Sequence, residues 1–184
     1  MTPTVLFVPG LRDHVADHWQ TLMAAEMRGS RTVPPLERDR LSLAARVEAL
    51  DRAIGEIEGP VVLAAHSAGC LMVAAWAAMG GRPIAGALLA TPPDVERPLP
   101  AGYPTLDELT AGGWLPVPRC PLPFETLVVA SENDPLASLD RVVGFAADWG
   151  AAVVNGGRLG HLNPAAGYGP WPPGLAFLKS LTGT

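Results

Sequence analysis

The chain is expected to fold as a single α/β domain over residues 1–184, an open, doubly wound, mostly parallel sheet of about six strands with helices on both faces. Three observations carry this expectation. Short apolar runs such as Val5-Leu6-Phe7-Val8 and Val61-Val62-Leu63 alternate with helical stripes along the whole chain. The runs are continuous rather than alternating, as strands buried on both faces require. The composition, 48% hydrophobic and 17% charged over 184 residues, supports one sizeable core and argues against disorder.

Taken in order, Val5–Val8 ends at Pro9-Gly10 as a first strand, and Trp19, Leu22, Met23 and Met27 recur at helical spacing before Gly29. Thr32-Val33 marks a brief second strand. Ser42 is positioned to cap a helix whose Leu43, Val47, Leu50, Ile54 and Ile57 form one stripe, stopped by Gly59-Pro60. A strand over 61–65 then leads into a helix over 68–79 that is apolar nearly all round and therefore deeply buried. Residues 84–90 read as the next strand. Residues 91–123 hold nine prolines and little periodicity beyond a turn of helix at 105–109; so long an irregular segment is either a cover over a site or a flexible insertion. A strand over 126–131, a helix capped by Ser138 and closed by Gly150, a strand over 151–154, and a helix opening at Trp171-Pro172-Pro173 complete the chain.

Ala65-His66-Ser67-Ala68-Gly69 occupies the turn from the central strand into the apolar helix. A serine on so sharp a turn needs small residues two before and two after it, and Ala65 and Gly69 meet that need. A serine hydroxyl requires a neighbouring base, and the base an orienting acid. Of four histidines, His161 follows the last strand in a glycine-rich loop, on the sheet edge that carries Ser67. His66 adjoins the serine, but side chains on a tight turn diverge, so it is expected to pack against or bond to neighbouring loops. His14 and His18, four apart and so able to share one helix face, stand beside Asp13 and Asp17 but lack a third ligand motif or an H-E-x-x-H glutamate and are read as solvated or packing residues, so no metal or other cofactor is implied. For the acid, Asp134 in the loop after the preceding strand is the first choice, flanked by Glu132 and Asn133; Glu132 and Asp94, which follows an earlier strand, are the alternatives. The order Ser, Asp, His, each directly after a strand, is what links them. A tetrahedral oxyanion needs two convergent N–H donors, for which the backbones of Leu11 and Ala68 are the candidates. His18, Trp19, Tyr103, Trp114 and Trp171 are candidate pocket walls, though aromatics serve as core at least as often.

The sequence also resembles the small serine hydrolases of the retinoblastoma-binding protein nine type, compact members of the α/β-hydrolase superfamily. The resemblance spans most of the chain and rests on Val8-Pro9-Gly10 with His18-Trp19-Gln20, Ala65-His66-Ser67-Ala68-Gly69-Cys70, Thr91-Pro92-Pro93-Asp94-Val95-Glu96, Asn133-Asp134-Pro135, and Gly160-His161-Leu162-Asn163 running to Gly169-Pro170-Trp171-Pro172. It implies a Ser67-Asp134-His161 triad and no large cap domain; leucine is frequent in that family where this chain has Ala68, a difference that spares the backbone donor.

The expected activity is hydrolysis of a small ester, or an amide, through an acyl-enzyme on Ser67. Two alternatives stand beside it: a catalytically weak protein-binding module on the same scaffold, and an acyltransferase using the same acyl-enzyme. The expected partner is therefore a small-molecule ester or amide, with a protein partner open. A net charge of −5 gives no global footprint for nucleic acid, and no run of eighteen apolar residues suggests a membrane span. Cys70 and Cys120 show no metal or disulfide pattern, and a cytoplasmic protein is expected.

Overall fold

A computed structural model describes residues 2–183. Six strands, β1 (Thr4–Val8), β2 (Arg31–Thr32), β3 (Val61–His66), β4 (Gly86–Ala90), β5 (Glu125–Ala130) and β6 (Ala152–Asn155), form one sheet in the order β2-β1-β3-β4-β5-β6. Every pairing is parallel. Six α-helices intervene: α1 (Trp19–Glu26), α2 (Leu43–Gly55), α3 (Ala68–Ala78), α4 (Leu106–Ala111), α5 (Leu139–Asp148) and α6 (Pro172–Thr182).

The pleat sends successive strand residues to opposite faces, and two cores follow from that alternation. Leu6, Val8, Leu63, Ala65, Leu89 and Val128 pack with α2, α3 and α5 on one face. Val5, Phe7, Val62, Ala64, Leu88 and Val129 pack with α1 and α6 on the other. The central strands are thus covered on both sides, and their composition is accordingly continuous rather than alternating.

Local chemistry sets most helix boundaries. The Ser42 hydroxyl accepts from the Ala45 N–H at 3.2 Å, and Ser138 accepts from Arg141 at 3.3 Å. Thr105 and Glu108 form a reciprocal capping box that starts α4 within the proline-rich segment. The fourth strand begins at Gly86, later than its apolar run suggests, and a Cβ there would lie 2.9 Å from the Glu125 carbonyl oxygen, so the two backbones approach closely at that point. A 3-10 turn at Pro164–Ala166, capped by the Asn163 side chain, has no periodic signature in the sequence.

Chain order turns back at the β1/β3 boundary, where β1 reaches outward to β2 and β3 returns on its other side. In open parallel sheets such a reversal leaves a crevice beyond the carboxyl ends of the two strands. Register brings Val8 opposite Ala65, His66 opposite Ala90, and Ala130 opposite Asn155, so the loops that follow β1, β3, β5 and β6 share that edge.

Candidate active site

Ser67 joins β3 to α3 with φ 56° and ψ −130°, a conformation that residues with a Cβ rarely adopt. Two glycines make room for it. A Cβ on Gly69 would lie 2.3 Å from the Val8 carbonyl oxygen, so the first turn of α3 presses on the end of β1. A Cβ on Gly10 would approach the Ser67 Cβ to 3.1 Å. The turn is held in place by the Ser67 N–H, which donates to the Ala90 carbonyl at 3.0 Å.

His161 lies over this turn. Its Nε2 is 2.8 Å from the Ser67 Oγ, while its Nδ1 stands 3.0 and 2.9 Å from the two carboxylate oxygens of Asp134. A carboxylate only accepts, so Nδ1 carries the proton and Nε2 offers its lone pair to the Ser67 hydroxyl. The Asp134 and His161 side chains are buried, and Ser67 is the member that remains partly accessible.

The two loops that meet here are laced together. The Asn133 carboxamide oxygen accepts from the Gly160 N–H at 2.8 Å, the Ser131 hydroxyl accepts from Leu159 at 3.1 Å, and the Glu132 N–H donates to the Gly157 carbonyl at 2.8 Å. These bonds give the neighbouring side chains their places. Glu132 is exposed and accepts from Asn155, and Asn133 is spent on Gly160. Asp94 pairs with Arg141 at 3.2 Å and Arg97 at 3.5 Å, well committed away from His161. Of the three candidate carboxylates, Asp134 is the one that bonds the His161 ring.

His66 proves to be part of the support. Its Nε2–H donates to the His161 carbonyl at 2.8 Å, tying the residue beside the serine to the loop that carries the imidazole. Burial pushes the His66 ring well below its ordinary pKa, and the nearby His161 and His18 rings push the same way, which keeps it a neutral donor. His18 caps α1, its Nδ1 accepting from the Gln20 N–H at 3.2 Å; burial is the main cause that lowers it to about 4. The cap places His18 before the first helical turn and leaves His14 exposed in the preceding loop, so the two do not share a helix face. No cluster of three or more metal-ligating side chains occurs among the described residues.

A cavity of about 390 Å³ opens above Ser67, within the range of small-molecule sites. Gly10, Leu11, Ala68 and His161 line it beside the serine. The Ala68 N–H is the first of α3 and has no intrahelical acceptor, and the Leu11 N–H meets no acceptor among the described residues. Val95, Leu99, Tyr103, Leu109 and Trp114 bring the proline-rich segment to the cavity wall. Of the other aromatics considered, His18 reaches the wall, whereas Trp19 and Trp171 pack edge to face at 4.9 Å inside the core under α1 and α6.

Two supporting residues lie outside the sequence reading. Arg46, 3% exposed, donates to the Leu11 carbonyl at 3.3 Å and the Arg40 carbonyl at 2.6 Å and pairs with Asp13 at 2.9 Å. It falls three residues after Leu43 and four before Leu50, an arginine inside an apolar stripe, and that position was its available signal. Gln20 donates to the carbonyls of Val8 and Ala64, at 3.1 and 2.9 Å, and pins α1 to the ends of β1 and β3.

A parallel sheet carrying a strained serine between β3 and α3, with the acid and histidine on later strand-end loops, defines an α/β-hydrolase fold. The chain belongs to the serine hydrolase family, whose model, described as "Serine hydrolase", matches residues 5–180. It is similar to a hydrolase from Pectobacterium atrosepticum described as YdeN-like, with 31% identity over 98% of this chain and 91% of that one and a TM-score of 0.82. It also shares its fold with the ydeN gene product of B. subtilis (16% identity, all of both chains, TM-score 0.76). Est1E from Butyrivibrio proteoclasticus shares the fold as well, at 14% identity, 100% of this chain, 89% of that chain and TM-score 0.69. No curated protein matches the chain. Among the described residues, no helix is long and apolar enough to cross a membrane.

Proposed function

We propose that this serine hydrolase cleaves small carboxylic esters with an apolar acyl group through an acyl-enzyme on Ser67, in the manner of the retinoblastoma-binding protein nine type. The unbroken hydrogen-bonded line from Asp134 through His161 to Ser67 supports the reading above all else. In this reading His161 removes the hydroxyl proton as the Ser67 Oγ bonds to the ester carbonyl carbon. The negative charge that develops on the carbonyl oxygen falls between the N–H groups of Leu11 and Ala68, whose dipoles are fixed before the substrate arrives. His161 then returns the proton to the departing alkoxide. In the second half, water loses its proton to His161, attacks the acyl carbon and releases the acid, restoring Ser67.

Asp134 holds the imidazole in the tautomer that accepts from serine and stabilises the imidazolium that follows. The apolar stretch of the cavity wall formed by Val95, Leu99 and Leu109 supports an apolar acyl group. The test combines a fluorophosphonate label with a panel of aryl esters of graded acyl length. Labelling at Ser67 and turnover are expected in the wild type, both lost in Ser67→Ala. Labelling that persists in Ser67→Ala would place the nucleophile elsewhere.

A further inference from the structure

Three residues with charged side chains line the cavity besides its histidines: Arg12, Asp13 and Arg40. Asp13 is already neutralised by the buried Arg46. Neither Arg12 nor Arg40 forms an ion pair among the described residues. Arg40 spends its Nε–H on the Leu36 carbonyl at 3.1 Å, and its two terminal nitrogens are left over. The Arg12 guanidinium sits 5.9 Å from the Tyr103 ring centre, at the edge of cation–π range, and so leans on a cavity residue rather than on a carboxylate.

The backbone segments that carry the two arginines are tied to one residue. Arg46 bonds the Leu11 carbonyl, the Asp13 carboxylate and the Arg40 carbonyl with one guanidinium, so the segments carrying Arg12 and Arg40 are fastened to the same buried fork. The result is two uncompensated positive charges at the cavity of a chain whose net charge is −5.

We propose that the substrate carries an anionic oxygen group, a carboxylate or a phosphate, which Arg12 and Arg40 hold while its apolar part lies along Val95, Leu99 and Leu109. Guanidinium groups match the paired oxygens of either anion, and the apolar wall supplies the rest of the binding. The inference rests on the reading of the Ser67 cavity as the substrate site, and it is tested by binding rather than by turnover.

The probes are phenyl hexanoate, the same ester bearing a carboxylate or a phosphonate at the para position of the ring, and the monophenyl ester of adipic acid, which places the carboxylate at the acyl end. Each is titrated calorimetrically into Ser67→Ala. At least one anionic probe is expected to bind about five- to tenfold tighter than phenyl hexanoate, with the advantage lost in about 0.5 M potassium chloride, where charges are screened within roughly 4 Å. The rank of carboxylate against phosphonate identifies the anion. In Arg12→Gln/Arg40→Gln, checked for folding by circular dichroism, the ratio of anionic to neutral affinity is expected to fall to about one. Equal or weaker binding of all anionic probes, or a preference that survives in the double variant, overturns the proposal. A wild-type protein that leaves every ester intact yet keeps the salt-sensitive preference would refute the hydrolytic reading and support the anion site.

Discussion

The turn at Ser67 and the proline-rich segment over 91–123 both face the same cavity, yet they are built on opposite principles. The turn is fixed by backbone: a strand and a helix at either end, a positive φ at the serine, and glycine where α3 meets β1. The segment has little regular structure and is held by side chains from distant parts of the chain. Trp114 donates its indole N–H to the Leu41 carbonyl at 2.7 Å, and Trp149 donates to Pro118 at 2.9 Å. Glu96 accepts from the Val117 N–H at 3.1 Å and pairs with Arg119 at 2.6 Å and with Arg141. The proposed chemistry therefore sits on the part that local geometry makes rigid. The pocket wall sits on the part that a few polar side chains hold in place.

The largest expected effect separates chemistry from folding. Asp134→Asn should lower turnover of an activated aryl ester by about 10⁴-fold, since the amide holds the His161 ring in the wrong tautomer. The melting temperature should move little, because the Asp134 Oδ1 bond to the Leu136 N–H at 2.9 Å can be kept by the asparagine oxygen. Near-native turnover would remove Asp134 from the proposed mechanism.

The same contrast explains what the sequence made legible. Strands buried on both faces, capped helices and the serine turn each depend on a few adjacent residues, so apolar runs and small-residue spacing reveal them. Which side chain meets the His161 ring did not follow from chain order alone. Asp94, Glu132, Asn133 and Asp134 all follow strands, and what separates them is the bonding of Asn133 to Gly160 and of Asp94 to Arg141, across 27 and 47 residues. The role of Arg46 was hidden for the same reason, since it acts on carbonyl groups that the fold brings near from other segments, whereas His66 bonds a neighbouring loop as expected and only its partner, the His161 carbonyl, was out of reach. A reader of the sequence sees which residues can cap or pack, and not which distant carbonyl they will meet.

Gly69→Ala probes the turn as a packing problem. Its Cβ would fall 2.3 Å from the Val8 oxygen and 2.9 Å from that of Pro9, and neither backbone atom can swing away as a flexible side chain would. A loss of about 3 kcal/mol in urea denaturation is expected, at the upper end for overpacking, with activity falling in parallel. Stability within about 0.5 kcal/mol of wild type would show that α3 can slide off β1, and that the turn is less rigid than the segment opposite.

The histidines near the turn add a pH dependence. His18 falls from an ordinary 6.5 to about 4 when folded, chiefly through burial, opposed by Asp17 and reinforced by His161. The unfolded chain therefore binds a proton that the folded chain refuses between those two values. Its contribution is present above about 6.5 and is lost as pH falls toward 4, by up to roughly 3 kcal/mol; His66 acts in the same direction. His18→Asn retains an N-cap and should flatten, without abolishing, the fall in stability between pH 6.5 and 4 measured by denaturant titration. An unchanged slope would mean that His18 is hydrated and free to ionise in place.

Glu96→Gln tests the segment, and the expected effect is small because its partners are partly solvated. Arg119 and Arg141 are about one-third exposed, so the cluster is worth about 1–2 kcal/mol rather than the value of a dry pair. Burial raises the Glu96 carboxyl, but the Val117 N–H and the two arginines outweigh it and hold the group below its ordinary 4.5. The stabilisation is accordingly present above about 4.5 and disappears as pH falls below it. Glutamine keeps an acceptor for Val117 and loses the charge, so the wall near Leu99 and Tyr103 should loosen while Ser67, His161 and Asp134 stay in place. The expected signature is a KM for apolar esters raised about threefold with kcat unchanged, since only binding common to ground and transition states is touched. A fall in kcat of tenfold or more would mean that the segment holds the reacting groups themselves, and the division between a rigid turn and a side-chain-tethered wall would no longer stand.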